Sequence, residues 1–334
     1  MKRFYKKGIS LFLILLMSFP LCACKSDDSK ALTTVKLNEV AHSIFYAPMY
    51  VAIEKGYFED EGIELSLTTG FGADKTMAAV VSGDADVGFM GTEASIYAYT
   101  EGAKDHVINF AQLTQRAGNF VVARENTESF SYEDMIGKDV LGGRAGGTPE
   151  MVYEYVLREN GVSPSEVKID QSIDFGSTAA AFSGGQGDYT IEFEPSATAL
   201  EQSGDGYVVA SIGVDSGYLP YTAFCAKESY LKENADLIQH FTNALQKGMD
   251  YVAGHSPEEI ATVIAPQFSE TDLKTLTLIV SRYYDQETWN TDLILREEGY
   301  DLMLTILEES GVLSGAAPYE DLVNTDFAEK ASTL

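Results

Sequence analysis

Apolar and polar residues alternate along this chain in two rhythms, which predict strands and helices in turn. Runs such as Val35–Val40 and Ile63–Thr69 alternate in the manner typical of half-buried strands. Runs such as Met49–Lys55 place apolar residues one helical turn apart and predict helices. The alternation restarts after Gly137 and continues to about residue 226. It therefore predicts two lobes built from βαβ units, each with a mostly parallel sheet.

The chain becomes almost entirely helical after Glu228. Leu237 and Phe241 fall on one apolar stripe of a long helix. Further on, Ser256 and Glu259 stand at the spacing of a capping box, which predicts that a new helix starts there. We therefore expect a helical C-terminal region after the two α/β lobes.

Residues 1–23 have the order of a secretory signal peptide: a basic start, the apolar run Ile9–Phe19 and a small residue before Cys24. The apolar run is too short for a membrane-spanning helix, which needs about 20 residues. Leu21–Cys24 resembles the bacterial lipoprotein box, and this resemblance implies cleavage before Cys24 and lipidation of its thiol. An ordinary signal peptide is the alternative. In the first case residues 24–34 form a lipidated tether.

The chain is strongly acidic, with a formal net charge of -28. Removal of the leader would take away Lys2, Arg3, Lys6 and Lys7 and leave the remainder more acidic still. Such a surface repels nucleic acid and anionic lipid head groups, so we expect no nucleic-acid partner and membrane attachment through the lipid anchor. Cys225 lies in an apolar run, where a buried and unreactive thiol is expected.

The order of motifs in the first lobe resembles a known family. An aromatic loop is followed by APMYVAIEKGYFEDEGIELSL and then by GDADVGFMG. This order resembles the periplasmic-type substrate-binding proteins of ABC importers, in the branch that binds sulfonates, nitrate, taurine and pyrimidine precursors of thiamine. MIGKDVLGGRAGGTPEMVYEYVLRENGV is similar to the family's second-lobe opening, and GDYTIEFEPSATAL is similar to its later turn from strand to helix.

The resemblance covers about residues 34–310 and implies the type II periplasmic-binding-protein fold, an α/β fold of two lobes that close on a small ligand. Lobe 1 is expected to comprise residues 35–118 and 222–330, and lobe 2 residues 119–221. The resemblance also implies a monomeric binding protein at the outer face of the cell membrane, with a permease and an ATPase as partners and no cofactor. The acidity and the lipoprotein box favour a Gram-positive cell surface.

Two other functions compete with solute binding. Eukaryotic relatives that make the thiamine pyrimidine share this fold and carry a cysteine-rich cluster with an iron-binding histidine set. This chain has His42, His106, His240 and His255 and no cysteine cluster, so the sequence favours a protein that is not an enzyme. A sensor domain is the other alternative, and it would need a separate signalling partner.

Five loops, each placed between a strand and a helix, are the expected ligand contacts. Ligands of open α/β sheets lie beyond the carboxyl ends of the strands, where helix N-termini offer free backbone N–H groups. The loops are His42–Ala47, Gly70–Asp74, Gly91–Glu93, Arg144–Thr148 and Phe175–Thr178. The residues that we expect to contact a ligand from these loops are His42, Phe45, Tyr46, Phe71, Thr92, Glu93, Arg144, Gly147, Thr148, Phe175 and Ser177.

The crossing between the lobes supplies further candidates. Gln115 and Arg116 lie between a strand and the first crossing, and Tyr221 lies where the chain returns. A guanidinium such as Arg116 or Arg144 can grip a sulfonate or phosphate with two hydrogen bonds, or it can pair with an acid across the lobes.

Glu192 and Glu194 end a strand on the same side of it, with Ile191 and Phe193 on the other. Carboxylates beside a cleft are costly unless a cation or a hydrogen-bond donor meets them. One interpretation is an ion pair with Arg116 or Arg144. The other is a hydrogen bond from an amino-substituted heterocycle, which favours a pyrimidine-like, thiamine-precursor-like ligand. A sulfonate, taurine or nitrate remains the alternative ligand.

Overall fold

The computed structural model describes residues 31–127, 129–173, 175–313 and 315–334. The predicted signal peptide, the lipidation at Cys24 and most of the predicted tether lie outside the described residues. Thr33 and Thr34, predicted as the end of that tether, instead begin the first strand, because they pair with Ile63 and Glu64. The contacts described below belong to one compact unit, Leu32–Leu334.

Ten strands in the described ranges form two five-stranded sheets. The first sheet contains β1 (Thr33–Glu39), β2 (Ile63–Thr69), β3 (Val87–Met90), β4 (Val107–Thr114) and β10 (Thr222–Lys227). The second contains β5 (Asn119–Ala123), β6 (Asp139–Leu141), β7 (Lys168–Asp170), β8 (Tyr189–Phe193) and β9 (Tyr207–Ser211). The strand orders are β2-β1-β3-β10-β4 and β7-β6-β8-β5-β9.

In each sheet four strands run in one direction and one strand runs against them. The opposed strand is β10 in the first sheet and β5 in the second. Both opposed strands directly follow a crossing of the chain from one sheet to the other. The prediction of two lobes with mostly parallel sheets is therefore confirmed, and we use lobe 1 and lobe 2 for the parts built on the first and second sheet.

Helices flank both sheets and dominate the C-terminal region. They are α1 (Ala47–Glu54), α2 (Tyr57–Asp60), α3 (Ala73–Ser82), α4 (Glu93–Thr100), α5 (Thr148–Glu159), α6 (Phe175–Ser183), α7 (Ser196–Ser203), α8 (Ile212–Asp215), α9 (Glu228–Glu233), α10 (Ala235–Gly254), α11 (Pro257–Ile264), α12 (Leu273–Asp285), α13 (Glu297–Glu309), α14 (Tyr319–Leu322) and α15 (Asp326–Ala331). Short 3-10 turns occupy Ile44–Tyr46, Tyr132–Met135, Pro164–Glu166 and Ala265–Phe268. In the described part of the chain, none of these helices combines the length and apolar character that crossing a bilayer requires.

The start of α11 follows the predicted capping box. The backbone N–H of Ser256 donates to the Glu259 carboxylate at 2.9 Å, and the backbone N–H of Glu259 donates to the Ser256 hydroxyl at 3.4 Å. Two otherwise unpaired N–H groups of the helix end are thereby satisfied.

The C-terminal helices contact lobe 2 as well as lobe 1. The Ser211 hydroxyl of lobe 2 donates to the side chain of Gln286 at 2.7 Å, next to the end of α12. Arg158 on α5 donates to Glu309 on α13 at 2.9 Å. The helices that follow β10 in the sequence therefore contact lobe 2 as well as lobe 1.

Candidate functional site

A cleft of about 380 Å³ lies between the two lobes. Its walls come from the loop before α3, from the first turns of α4 and from the loop before α5, so they follow β2, β3 and β6 at the carboxyl ends of these parallel strands. We call this space the interlobe cleft. Its lining residues are Gly72, Ala73, Asp74, Met77, Glu93, Ala94, Tyr97, Ala98, Glu101, Arg144, Ala145, Gly146 and Gly147.

Glu93 is the most deeply buried acid of the interlobe cleft, with 7% of its surface exposed. Its Oε2 atom has no hydrogen-bond donor among the described residues. Burial raises the pKa of Glu93, while the Thr148 hydroxyl and the amides of Glu93 and Ala94 at the start of α4 lower it. The Thr148 hydroxyl faces this carboxylate without reaching the geometry of a full hydrogen bond. Glu93 therefore presents an unused acceptor to the cleft.

The Glu93 side chain folds back over the end of β3, and Gly91 makes this possible. A Cβ atom at Gly91 would collide with the Glu93 carboxylate, which supplies the three atoms nearest to it. A glycine two residues before the acid is therefore a condition for the position of the carboxylate.

Three more buried polar atoms near Glu93 lack a partner in the described ranges: Asn119 Oδ1, Thr148 Oγ1 and the Tyr221 hydroxyl. The Asn119 side chain donates to the Pro149 carbonyl at 3.3 Å, which places it beside the start of α5. The nearby Glu93 carboxylate adds to the burial that raises the pKa of Tyr221. Buried polar groups are hydrogen-bonded as a rule. We call Glu93, Asn119, Thr148 and Tyr221 the polar floor; Glu93 lines the interlobe cleft, and the other three are buried and are not among its lining residues.

Phe45 and Tyr46 belong to a cluster of aromatic rings that includes residues of both lobes. The Phe45 ring is 1% exposed and packs edge-on against Tyr221 at 5.7 Å and against Phe193 of lobe 2 at 6.4 Å between ring centres. The Tyr46 ring packs on Phe89 at 4.5 Å. Burial, followed by the Glu39 and Glu93 carboxylates, strongly raises the pKa of Tyr46. Neither aromatic residue lines the cleft itself.

His42 lies in a separate hydrogen-bond network. Its Nδ1 atom is 3.0 Å from Glu39 Oε1, and its Nε2 atom is 2.9 Å from the carbonyl oxygen of Gln267. Tyr50 donates to the other Glu39 oxygen at 2.6 Å. This network joins the aromatic loop to the C-terminal region and does not reach the residues that line the cleft.

The remaining loop candidates differ in their surroundings. Phe71 is 76% exposed and has a φ of 56°, next to Gly72 of the cleft wall. Thr92 is fully buried and donates to the Pro220 carbonyl at 2.7 Å, so it fixes the start of α4 to the second crossing. Ser177 is exposed on α6, and the side chain of Phe175 lies outside what the structure describes.

Gln115 and Arg116 lie at the hinge and not in the interlobe cleft. Gln115 donates to the Glu287 carbonyl at 3.0 Å. The Arg116 guanidinium donates to the Gly213 carbonyl at 3.0 Å and to the Glu287 carboxylate at 3.1 Å, and it stacks on the Tyr218 ring at 4.0 Å. These contacts tie the first crossing to lobe 2 and to the segment after α12.

Neither Glu192 nor Glu194 is among the residues that line the interlobe cleft. Glu192 is 1% exposed and accepts from the Thr190 hydroxyl at 2.6 Å, and burial raises its pKa to about 7. Glu194 accepts from the backbone and hydroxyl of Thr198, each at 2.9 Å, and it pairs with Arg282. An ion pair with Arg116 or Arg144 was one of the two interpretations of these acids, and for Glu194 the partner is instead Arg282. The true cation comes from the C-terminal helix α12.

Of the predicted residues, Glu93, Arg144 and Gly147 line the interlobe cleft, and Thr148 and Tyr221 belong to the buried polar floor. Sequence reasoning missed Asn119 and the rest of the cleft wall. Tyr97 carried a usable signal, because it stands four residues after Glu93 on α4 and therefore on the same helix face. Asn119 carried none, since a single asparagine at the start of a strand has no distinctive pattern.

The sequence and the fold both match known binding proteins. The chain belongs to the NMT1/THI5-like family, whose sequence model matches residues 44–260. It is 43% identical over 334 residues to YtlA of Bacillus subtilis (strain 168), whose name describes it as a binding protein, and the match covers 100% of this chain and 99% of YtlA. The riboflavin-binding protein RibY of Chloroflexus aurantiacus is 27% identical over 244 residues, which cover 71% of this chain and 66% of RibY.

Among solved structures, the alkanesulfonate-binding protein SsuA from Xanthomonas axonopodis pv. citri, bound to MOPS, matches with a TM-score of 0.70. The match covers 87% of this chain and 98% of that chain at 15% sequence identity, which shows a common fold alone. Family and fold are those of the solute-binding proteins that deliver small molecules to ABC importers. Within the described residues, no three histidine, cysteine, aspartate or glutamate side chains come together in a way that could hold a metal ion.

Proposed function

We propose that this protein captures a small, flat, nitrogen-containing solute in the interlobe cleft and delivers it to an ABC permease and its ATPase. The solute class is that of pyrimidines related to thiamine precursors. The observation that carries the proposal is the polar floor: four buried groups from both lobes, each with an atom that has no partner among the described residues.

The chemistry of the polar floor favours a ligand that donates hydrogen bonds. The unpartnered atoms of Glu93 and Asn119 are an oxygen of the charged carboxylate and an amide oxygen. Both can only accept hydrogen bonds. The hydroxyls of Thr148 and Tyr221 can either donate or accept. An amino-substituted heterocycle supplies donors and ring acceptors in one plane. A carboxylate repels nitrate and sulfonate, and the buried carboxylate that lines the cleft is that of Glu93, whereas Glu192 and Glu194 do not line it.

The groups of the polar floor belong to different lobes, and this predicts that the lobes close around a ligand. Glu93 belongs to lobe 1, whereas Asn119 and Thr148 belong to lobe 2, so one ligand can bond to both lobes only when they are close. The lobes already meet where the Tyr97 hydroxyl lies 3.7 Å from the Met151 sulfur. A ligand that contacts both walls shifts the population toward the closed state by the difference in its contacts with the two states.

The expected site of action is the outer face of the cell membrane. Lipidation at Cys24 would hold the acidic protein near its permease, and more than one acyl chain is needed because a single chain binds membranes only marginally. Docking of the closed form on the permease would then release the solute into the transport path.

A thermal-shift screen of the purified chain tests the proposal. The panel contains aminopyrimidines, riboflavin, taurine, alkanesulfonates and nitrate. A true ligand at a hundredfold excess over its Kd should stabilise the protein by about 2.7 kcal/mol. We expect a shift with aminopyrimidines that is lost in Glu93→Gln and kept in Glu233→Gln, a change of an exposed acid on α9. Binding of no member of the panel would overturn the solute class.

A sulfonate, taurine or nitrate ligand is the second candidate. Arg144 is exposed on the cleft wall, next to the loop that opens α5, and a guanidinium binds oxyanions with two parallel hydrogen bonds. The likeness to an alkanesulfonate-binding protein supports the same idea at the level of fold. Shifts with sulfonates or nitrate that disappear in Arg144→Gln and persist in Glu93→Gln would favour this candidate over the first.

A further inference from the structure

The lobe 2 wall of the interlobe cleft is a short loop that one acid holds in place. Glu150 on α5 is 4% exposed. One of its carboxylate oxygens accepts a hydrogen bond from the backbone N–H of Gly146 at 3.1 Å, and the other accepts from the side-chain amide of Gln171. Gln171 directly follows β7, so the carboxylate ties the cleft loop to the edge of the second sheet.

Two hydrogen-bond donors and one neighbouring acid, Glu154, interact with the Glu150 carboxylate, and together they decide what a proton on it would do. A carboxylate offers two equivalent acceptor oxygens, and each has one partner here. A neutral carboxylic acid carries one O–H donor, which the Glu154 carboxylate can accept, and its oxygens can still accept hydrogen bonds. Protonation therefore leaves the hydrogen bonds from Gly146 and Gln171 without the negative charge that strengthens them.

The charges around Glu150 favour that protonation near neutral pH. Burial, followed by Glu154 one helical turn further along α5, raises the pKa of Glu150 to about 7, while the Gly146 amide and Gln171 lower it. Glu154 is itself paired with Arg158 at 3.5 Å. Burial, followed by the Glu93 and Glu150 carboxylates, raises the pKa of Tyr97 to about 12, so both acids act on this side chain of the cleft wall.

We propose that Glu150 is a positioning residue for ligand capture: its charged form holds residues 144–147 in the shape that faces the solute, and its protonation loosens this wall. Ligand binding then weakens as the pH falls. The effect on binding rests on the proposed function, whereas the effect on the loop does not.

The loop can be tested without any ligand. Hydrogen exchange of the Gly146 amide is measured in the full chain between about pH 6 and pH 8, as a protection factor that removes the intrinsic pH dependence of exchange. We expect protection in the wild type to fall about tenfold as the pH decreases through 7, in line with the weakening of a hydrogen bond whose acceptor loses its charge. Glu150→Gln, which keeps one acceptor oxygen, should show the low value at every pH.

Glu154→Gln is the matched control, because it removes the neighbouring charge and leaves both hydrogen bonds of Glu150 in place. It should keep the high protection at pH 8 and move the fall to a lower pH. Equal and pH-independent protection in wild type and Glu150→Gln would overturn the proposal. If Glu150→Gln does not fold, the wild-type pH series decides alone.

A second measurement adds the ligand. With the aminopyrimidine that gives the largest thermal shift, the affinity of the wild type should fall about tenfold from pH 8 to pH 6, and that of Glu150→Gln should be low and constant. A pH-dependent loop in a protein that binds no member of the panel would refute the proposed function and leave the role of Glu150 in the loop intact. If protection of the Gly146 amide does not change with pH in a protein that binds an aminopyrimidine, the role of Glu150 in the loop is refuted and the proposed function stands.

Discussion

Arg282 on α12 donates hydrogen bonds to Glu194 and Glu201 of lobe 2, which ties the C-terminal helices to the turn after β8. The Glu194 side chain is completely buried, and Thr198 supplies it with two further hydrogen bonds. Every one of these contacts is made within the protein. The geometry therefore gives Glu194 a structural role.

The first prediction concerns the stability that this ion pair provides. Glu194→Gln leaves a buried guanidinium with one carboxylate fewer, so the free energy of unfolding should fall by about 2–4 kcal/mol. Glu201→Gln is the matched control, because Glu201 is 30% exposed and should contribute about 1 kcal/mol or less. Chemical denaturation measures both. A stable Glu194→Gln protein that has lost ligand affinity would restore the role that the sequence suggested.

The second prediction concerns Glu192 and the dependence of stability on pH. Because burial raises its pKa from 4.5 to about 7, the folded state holds a proton that the unfolded state has already lost in this range. The free energy of unfolding should therefore decrease as the pH rises from about 4.5 to about 7, by roughly 3 kcal/mol from this group, and then level off.

Denaturation of wild type and Glu192→Gln at pH 5 and pH 8 checks this. The variant should lack this part of the slope and be the more stable of the two at pH 8, while Glu233→Gln on the surface should behave as the wild type does. Parallel pH curves for wild type and Glu192→Gln would mean that Glu192 is already ionised at pH 5.

Local pattern was sufficient to predict the layers of this fold, because strand and helix periodicity is a property of neighbouring residues. It also placed Glu93 correctly at the end of a strand and the start of a helix. The partner of Glu194, in contrast, lies 88 residues further along the chain on a helix that the pattern assigned to the other lobe. The shared side of Glu192 and Glu194 was recognised, but no periodicity shows which element covers that side.

The crossing residues illustrate the same limit. Asn119 joins the polar floor only because the chain passes between the lobes at that point, and Arg116 binds carbonyl groups that are 97 and 98 residues away in sequence. From the sequence alone, an arginine near a predicted cleft looks like a residue that binds an anion. Its carbonyl partners at the hinge become visible only in three dimensions.

The third prediction concerns Gly91, which leaves room for the Glu93 carboxylate. Gly91→Ala should push this flexible side chain aside, since the three atoms nearest to the added methyl group all belong to the Glu93 carboxylate. We expect ligand affinity to fall about tenfold or more, from loss of a hydrogen bond to a charged group, with a change in stability of about 1 kcal/mol or less. Gly254→Ala is the control, because a methyl group there meets open space. Equal ligand affinity in Gly91→Ala and wild type would show that the carboxylate position does not matter.

Calorimetric titration of wild type, Glu93→Gln and Glu192→Gln with the strongest ligand of the panel tests the central claim most directly. If the solute is held on the polar floor of the interlobe cleft, Glu93→Gln should lose at least about tenfold in affinity and Glu192→Gln should stay within about twofold of the wild type. The opposite result, in which Glu192→Gln loses affinity at least about tenfold and Glu93→Gln binds as the wild type does, would contradict the placement of the ligand between Glu93 and Thr148.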